Sequence, residues 1–131
     1  MVDAVMIVAL TLWLECRSES PEGMEGVATV IANRAMANDL LSVSEVCIQR
    51  FQFSCWNRTS PSIEARKITL EIRKTVQWRH CYRIADDLVR YRYAPISDWT
   101  HYYNPVLSTP PWAARLVNTL AMGRHVFGRM P

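Results

Sequence analysis

Glycine is scarce in this chain, with four residues in 131. There is no phosphate-cradling glycine loop and no G-x-S-x-G turn, which excludes P-loop nucleotide chemistry and an α/β-hydrolase nucleophile elbow. Cysteine is also sparse. Cys16, Cys47, Cys55 and Cys81 form no C-x-x-C pair, and His80, His101 and His125 show no H-x-x-x-H spacing, so no zinc site and no cofactor are expected. Four thiols are too few for a disulfide scaffold. They read as reduced core residues, with one disulfide, Cys55 to Cys81, left open for a protein working outside the cytoplasm.

Long apolar runs are lacking too. The longest, Ala4 to Leu14, is broken by Thr11 and falls short of the ~20 residues of a membrane span, so it predicts a buried helix and no stable membrane insertion. A secretory leader wants a basic n-region and a small-residue cleavage site. Here Asp3 is the first charge and the run ends in Trp13-Leu14-Glu15, so synthesis in a host cytoplasm is the expectation. With no repeat, low-complexity tract or Gly/Ser linker, one domain over residues 1–131 is expected, as a monomer.

What is present suits a packed core. Half of the residues are hydrophobic and 21% are charged, a balance unlike that of disordered chains. The net charge of +3 permits weak attraction to anionic polymers and selects none.

Periodicity predicts a helix from Asp3 to about Arg17, apolar nearly all round. Ser20-Pro21-Glu22 reads as a helix start, with a capping hydroxyl, proline at the first position and an acid at the positive end. Met24, Val27, Ala28, Ile31 and Ala35 then form one apolar face, and Asn38-Asp39 ends it. Ser42 or Ser44 caps a short helix around 43–49. Phe51 to Trp56 alternates and reads as extended. A helix is expected near Gln77–Tyr91, a strand near Trp99–Tyr103, a short helix through Ala113, Leu116, Val117 and Leu120, a turn at Gly123 and a last strand at His125–Phe127. The sum is an α+β domain, mostly helical with a small sheet.

Glu15 is the prime candidate for chemistry. Burial and the negative end of its helix both favour a protonated carboxyl, which is what a general acid needs. The alternative is an ion pair with Arg17 or Arg34. Glu19 and Asp98 are candidate second carboxylates for a glycosidase pair. For Glu19 the competing reading is a ligand for backbone N–H groups of the next helix, and for Asp98 a turn residue.

The segments Gln52–Asn57 and Trp99–Asn104 mix aromatic rings with amides and hydroxyls, as a sugar-binding cleft does. Gln52, Ser54, Trp56, His101, Tyr103 and Asn104 are the candidate substrate-binding residues. Alternation assigns Phe51, Phe53 and Tyr102 to the core. The basic run Arg66 to Arg92 is interrupted by Glu71, Asp86 and Asp87 and reads as a solvated helix face rather than a nucleic-acid stripe.

Four segments in order resemble the SleB-type cell-wall hydrolases, the family of spore-cortex-lytic enzymes and of many phage and proteobacterial lysis proteins. Ala9 to Glu19 is similar to the family's "LA…I-Y-x-E-A-R-G-E". Glu25 to Arg34 is similar to "E-G-x-x-A-V-A-x-V-x-x-N-R", and Gln52 to Asn57 to "Q-F-S-x-W". Thr100 to Pro105, Pro111 to Ala113 and Gly123 to Phe127 together resemble "A-T-H-Y-x-N…P-x-W…I-G-x-H-x-F". Cys16-Arg17-Ser18-Glu19 departs mildly from the first motif, and Ile96-Ser97-Asp98-Trp99 replaces the small residues usual before the fourth.

The resemblance implies a lysozyme-like, lytic-transglycosylase-type fold and an endolysin that acts on peptidoglycan glycan strands, with Glu15 as its acid. It implies cleavage between N-acetylmuramic acid and N-acetylglucosamine, with Ser54 and the Tyr103 region stabilising the oxocarbenium. It also implies action on the wall after release to the periplasm. A transglycosylase needs one carboxylate, because the muramoyl 6-hydroxyl is the nucleophile. A hydrolytic muramidase would enlist Glu19 or Asp98. A reading of another class is a non-catalytic module binding glycan or nucleic acid.

Overall fold

A computed structural model describes residues 2–17, 19–49 and 52–131. Phe51, expected in the core, lies outside the described residues. Among the described residues six α-helices precede a three-stranded sheet: α1 (Ala4–Cys16), α2 (Pro21–Met36), α3 (Val43–Ile48), α4 (Pro61–Arg66), α5 (Leu70–Arg73) and α6 (Val76–Val89), then β1 (His101–Tyr103), β2 (Val117–Met122) and β3 (His125–Arg129). The architecture is the mostly helical α+β arrangement expected, and no described helix is long and apolar enough to cross a membrane.

The helix starts follow capping chemistry. Asp3 accepts from the Met6 N–H at 2.8 Å, Ser20 accepts from Gly23 with Pro21 at the first position, and Ser42 forms a capping box with Glu45. Helix α1 is the central post. From Val8 to Trp13 every residue is buried, and the helix packs most extensively on α6, then on α3 and α2. Thr11 survives there because its hydroxyl donates to Ile7 O at 2.8 Å and accepts the Trp56 indole N–H at 3.0 Å. Helix α6 turns Trp78, Cys81, Ile84, Ala85 and Leu88 inward, with Trp13 set edge-on to Trp78. Gln77 donates to the Cys16 and Arg17 carbonyls and so satisfies the exposed end of α1.

The sheet order is β1-β3-β2, antiparallel throughout, with His101 opposite Gly128 and Tyr103 opposite Val126. Phe127 on β3 is its anchor. It is fully buried, stacks on Trp99 at 5.1 Å and rests on Gly26 of α2, where a Cβ would lie 2.5 Å from the ring. The side chains of Asn33 and Arg34 then tie the approach to β1 onto α2. Asn33 donates to the Ser97 and Trp99 carbonyls and Arg34 to that of Thr100.

Two expectations are corrected, and one open alternative is decided. Val117 and Leu120 belong to β2, not to a helix, and only a 3₁₀ turn (Pro111–Arg115) precedes them. A bulge between Val117 and Leu120, with Asn118 at φ +53°, breaks the two-residue alternation that would have marked a strand. Ser54–Trp56 is a 3₁₀ turn rather than extended chain, because this segment curls over the end of α1. The Cys55–Cys81 disulfide does not form. All four cysteines are free, and the Cys81 thiol sits 3.6 Å from the Met24 sulfur. Burial pushes the Cys47 and Cys81 thiols up to about 12, which keeps both protonated.

Candidate active site

The end of α1 opens into a cleft of about 650 Å³, walled by the Gln52–Asn57 turn on one side and the sheet on the other. Glu15 stands at its floor. The Tyr102 hydroxyl donates to Glu15 Oε1, the Cys55 N–H donates to Oε2 at 3.2 Å, and the Ser54 hydroxyl lies 3.5 Å from Oε2. Burial, and then the neighbouring Glu15, raise the Tyr102 phenol well above its ordinary value, so it remains a donor. The same two causes raise the Cys55 thiol, which is therefore no nucleophile.

Neither arginine proposed as a partner for Glu15 forms an ion pair with it. Arg34 Nε donates to Thr100 O at 2.8 Å, its Nη1 donates to Gln52 O at 3.2 Å, and the guanidinium lies over Phe53. Arg17 stacks on Trp13. Arg34 instead joins the two walls of the cleft, holding a carbonyl from each.

The second carboxylate at this end of α1 has a different setting. The Glu19 side chain is 4% exposed. Both of its oxygens accept the Arg124 N–H at 3.3 Å, and a Cβ at Gly123, which has φ +59°, would come within 2.1 Å of Oε2. Glu19 thus anchors the β2–β3 turn, not the next helix as the competing sequence reading had it. His125 Nδ1 lies 3.4 Å from Glu19 Oε1 without aligning for a hydrogen bond. Burial lowers the His125 pKa, with Glu19 and Glu15 opposing, so a neutral ring is favoured.

Of the sequence-selected residues, the structure brings Gln52, Ser54, His101, Tyr103 and Asn104 to the cleft with Glu15 and Glu19. Alternation in β1 turns His101 and Tyr103 against Trp112, with ring centroids 5.0 and 5.9 Å away, and burial lowers the His101 pKa. Two candidates fall elsewhere. Trp56 turns its indole to Thr11 on α1 and packs on the core. Asp98 is half exposed outside the cleft, where Asn118 and Arg129 hold its carboxyl below the usual range.

Tyr102 is the main omission of the sequence reading. Its ring does pack on Phe53 and Phe127, as assigned, but its hydroxyl reaches Glu15. A phenol needs a partner when buried, and that requirement was the available signal. Among the described residues no cluster of three or more His, Cys, Asp or Glu is placed to hold a metal.

A family model described as Cell Wall Hydrolase matches residues 18–128, a segment that begins just after Glu15. Two solved structures are similar in fold. The catalytic domain of the germination-specific lytic transglycosylase SleB from Bacillus anthracis is 21% identical, with a TM-score of 0.66 over 96% of this chain and 93% of that one. The catalytic domain of the Bacillus cereus SleB protein is 21% identical, with a TM-score of 0.67 over 96% of this chain and 89% of that one. A search of curated proteins finds no significant match.

Proposed function

The chain belongs to the cell wall hydrolase family, and from that membership and the surroundings of Glu15 we propose that it cleaves peptidoglycan between N-acetylmuramic acid and N-acetylglucosamine as a lytic transglycosylase. Glu15 is the single acid and base. It protonates the glycosidic oxygen as the muramoyl C1–O bond breaks. It then takes the proton of the muramoyl 6-hydroxyl, whose oxygen closes onto C1 to give a 1,6-anhydro ring. Water is not consumed, and the intramolecular nucleophile gains from proximity. The Tyr102 O–H and the Cys55 N–H aim the carboxylate. Trp112, His101 and Tyr103 supply an aromatic and polar wall for the sugar rings.

The observation that carries this reading is the unequal state of the two carboxylates in the cleft. Glu15 faces the opening, whereas Glu19 is occupied by the Arg124 N–H and nearly sealed from solvent. Asp98 lies outside. One carboxylate held in the cleft by the Tyr102 and Cys55 donors, with the other committed to the hairpin turn, suits a transglycosylase; an inverting or retaining hydrolase wants two. That the B. anthracis neighbour is a lytic transglycosylase supports the same choice. The role we assign is that of an endolysin, on the resemblance of the four motifs to lysis proteins.

The test is mass spectrometry of fragments released from purified peptidoglycan by the wild type and by Glu15→Gln. Anhydromuramic ends from the wild type alone are expected. Reducing ends would make the protein a muramidase and return Glu19 to consideration. Glycan binding without cleavage by either form would make it a binding module.

A further inference from the structure

A second opening lies beside the catalytic cleft and shares one lining residue with it, Glu19. It has a volume of about 640 Å³ and runs between the start of α2 and the first turns of α6. Its floor is apolar, formed by Pro21, Met24 and Val76, and Val76 is 84% exposed. Its wall is basic, formed by Arg79 and Arg83, one turn apart on α6. Arg90 and Arg92, farther along, are neutralised by Asp86 and Asp87. Arg79 and Arg83 have no carboxylate within ion-pair distance among the described residues.

His80 adds a third unmet group. The Arg83 guanidinium donates to His80 Nδ1 at 3.0 Å, which puts the proton of the neutral ring on Nε2. That Nε2 is buried and has no partner. The groove therefore presents two uncompensated cations beside an apolar floor, with an unpartnered His80 N–H buried beneath them.

We propose that this groove is a subsite for the peptide stem of the substrate. The stem runs along Pro21, Met24 and Val76 and sets its free carboxylates against Arg79 and Arg83. This assignment rests on the peptidoglycan reading above. The stem branches from the lactyl group of the same muramoyl residue whose C1–O bond Glu15 cleaves, so it must leave the cleft within one sugar ring of Glu15. The groove shares Glu19 with the cleft, four residues along the chain from Glu15. Stem peptides alternate small methyl side chains with carboxylates, which matches an apolar floor and a cationic wall. A nucleic acid would want a longer basic track, and Asp86 and Asp87 end this one after a turn and a half.

The test uses glycan strands from one wall in two forms, with stems and stripped of them by an amidase. The measurement is kcat and KM for the wild type, for the double variant Arg79→Glu with Arg83→Glu, and for the double variant Arg90→Glu with Arg92→Glu as a control of equal charge change outside the groove. The wild type should favour stem-bearing strands about tenfold, the sum of two exposed charge pairs. The groove double variant should lose that preference through KM alone and cleave stripped strands at the wild-type rate, while Arg90→Glu with Arg92→Glu keeps the preference. Equal cleavage of both strands by the wild type would overturn the subsite and leave the activity standing. So would a groove double variant equally impaired on both strands, which would mark a general attraction to polyanions. Cleavage of neither strand by the wild type would overturn the peptidoglycan reading itself, and the subsite with it.

Discussion

Glu15 and Glu19 are the same residue type, four positions apart, at the end of one helix, yet the structure gives them opposite surroundings. Glu15 lines a cleft and takes its hydrogen bonds from the Tyr102 hydroxyl and the Cys55 N–H in the cleft walls. Glu19 is shut in by a hairpin turn whose glycine has no room for a Cβ. A carboxylate's role is thus set by what folds back over it. Here the β2–β3 turn returns from about a hundred residues away and covers one acid but not the other.

The sharpest way to break the comparison is to exchange the charge of each acid in turn. Glu15→Gln should lower kcat by about 10³-fold, the usual contribution of a general acid, with a loss of about 1–2 kcal/mol in stability as the Tyr102 and Cys55 donors lose a charged acceptor. Gly123→Ala comes next. Its methyl would need φ +59° and would press on Glu19, so a loss of about 2 kcal/mol in stability is expected by denaturant titration. An unchanged midpoint would mean that the turn is not anchored on Glu19.

Glu19→Gln keeps the shape and removes the charge from the hydrogen bonds to Arg124 N–H, which predicts a loss of about 1–2 kcal/mol and a partial loss of activity. Inactivation as complete as that of Glu15→Gln would erase the difference between the two acids and favour a hydrolase. Tyr102→Phe removes one hydrogen bond to a charged group without opening a cavity, and about a tenfold fall in kcat is expected in the same fragment-release assay.

The smallest effect is on pH dependence. Burial depresses the pKa of His125 and His101 in the folded protein. The unfolded chain then binds more protons as pH falls, so this contribution to stability is complete above the unfolded value of about 6.5 and is lost as pH drops through the folded values. The melting temperature should therefore decline on acidification below that point, and less steeply in His125→Asn.

The helical part of the fold was largely legible. Capping residues and periodicity act within a few positions, so the apolar run announced α1, Ser20-Pro21 announced α2 and a serine at 42 or 44 announced α3, and the face from Met24 to Ala35 is buried as its spacing requires. The sheet was legible only in part. Val117 and Leu120 have helical spacing by coincidence, and the bulge at Asn118 hid the strand period. The aromatic alternation of Gln52 to Trp56 imitates a strand, while the chain in fact curls so that the Cys55 N–H can reach Glu15.

The same division runs through the site. Glu15 stood out because a carboxylate ending an all-round apolar helix is conspicuous before any contact is known, and Ser54, His101 and Tyr103 stood out by their alternation with core rings. The commitment of Glu19 to the hairpin, of Trp56 to Thr11 and of Asp98 to Arg129 was not visible. Nor was the reach of the Tyr102 hydroxyl to Glu15. Each joins residues from 31 to 105 positions apart along the chain. Local chemistry determined which residues can begin a helix, fill a core or carry a proton. Which acid stays open to substrate was decided by long-range closure, because a hydrogen bond between distant segments depends on how the whole chain packs and leaves no period in the sequence.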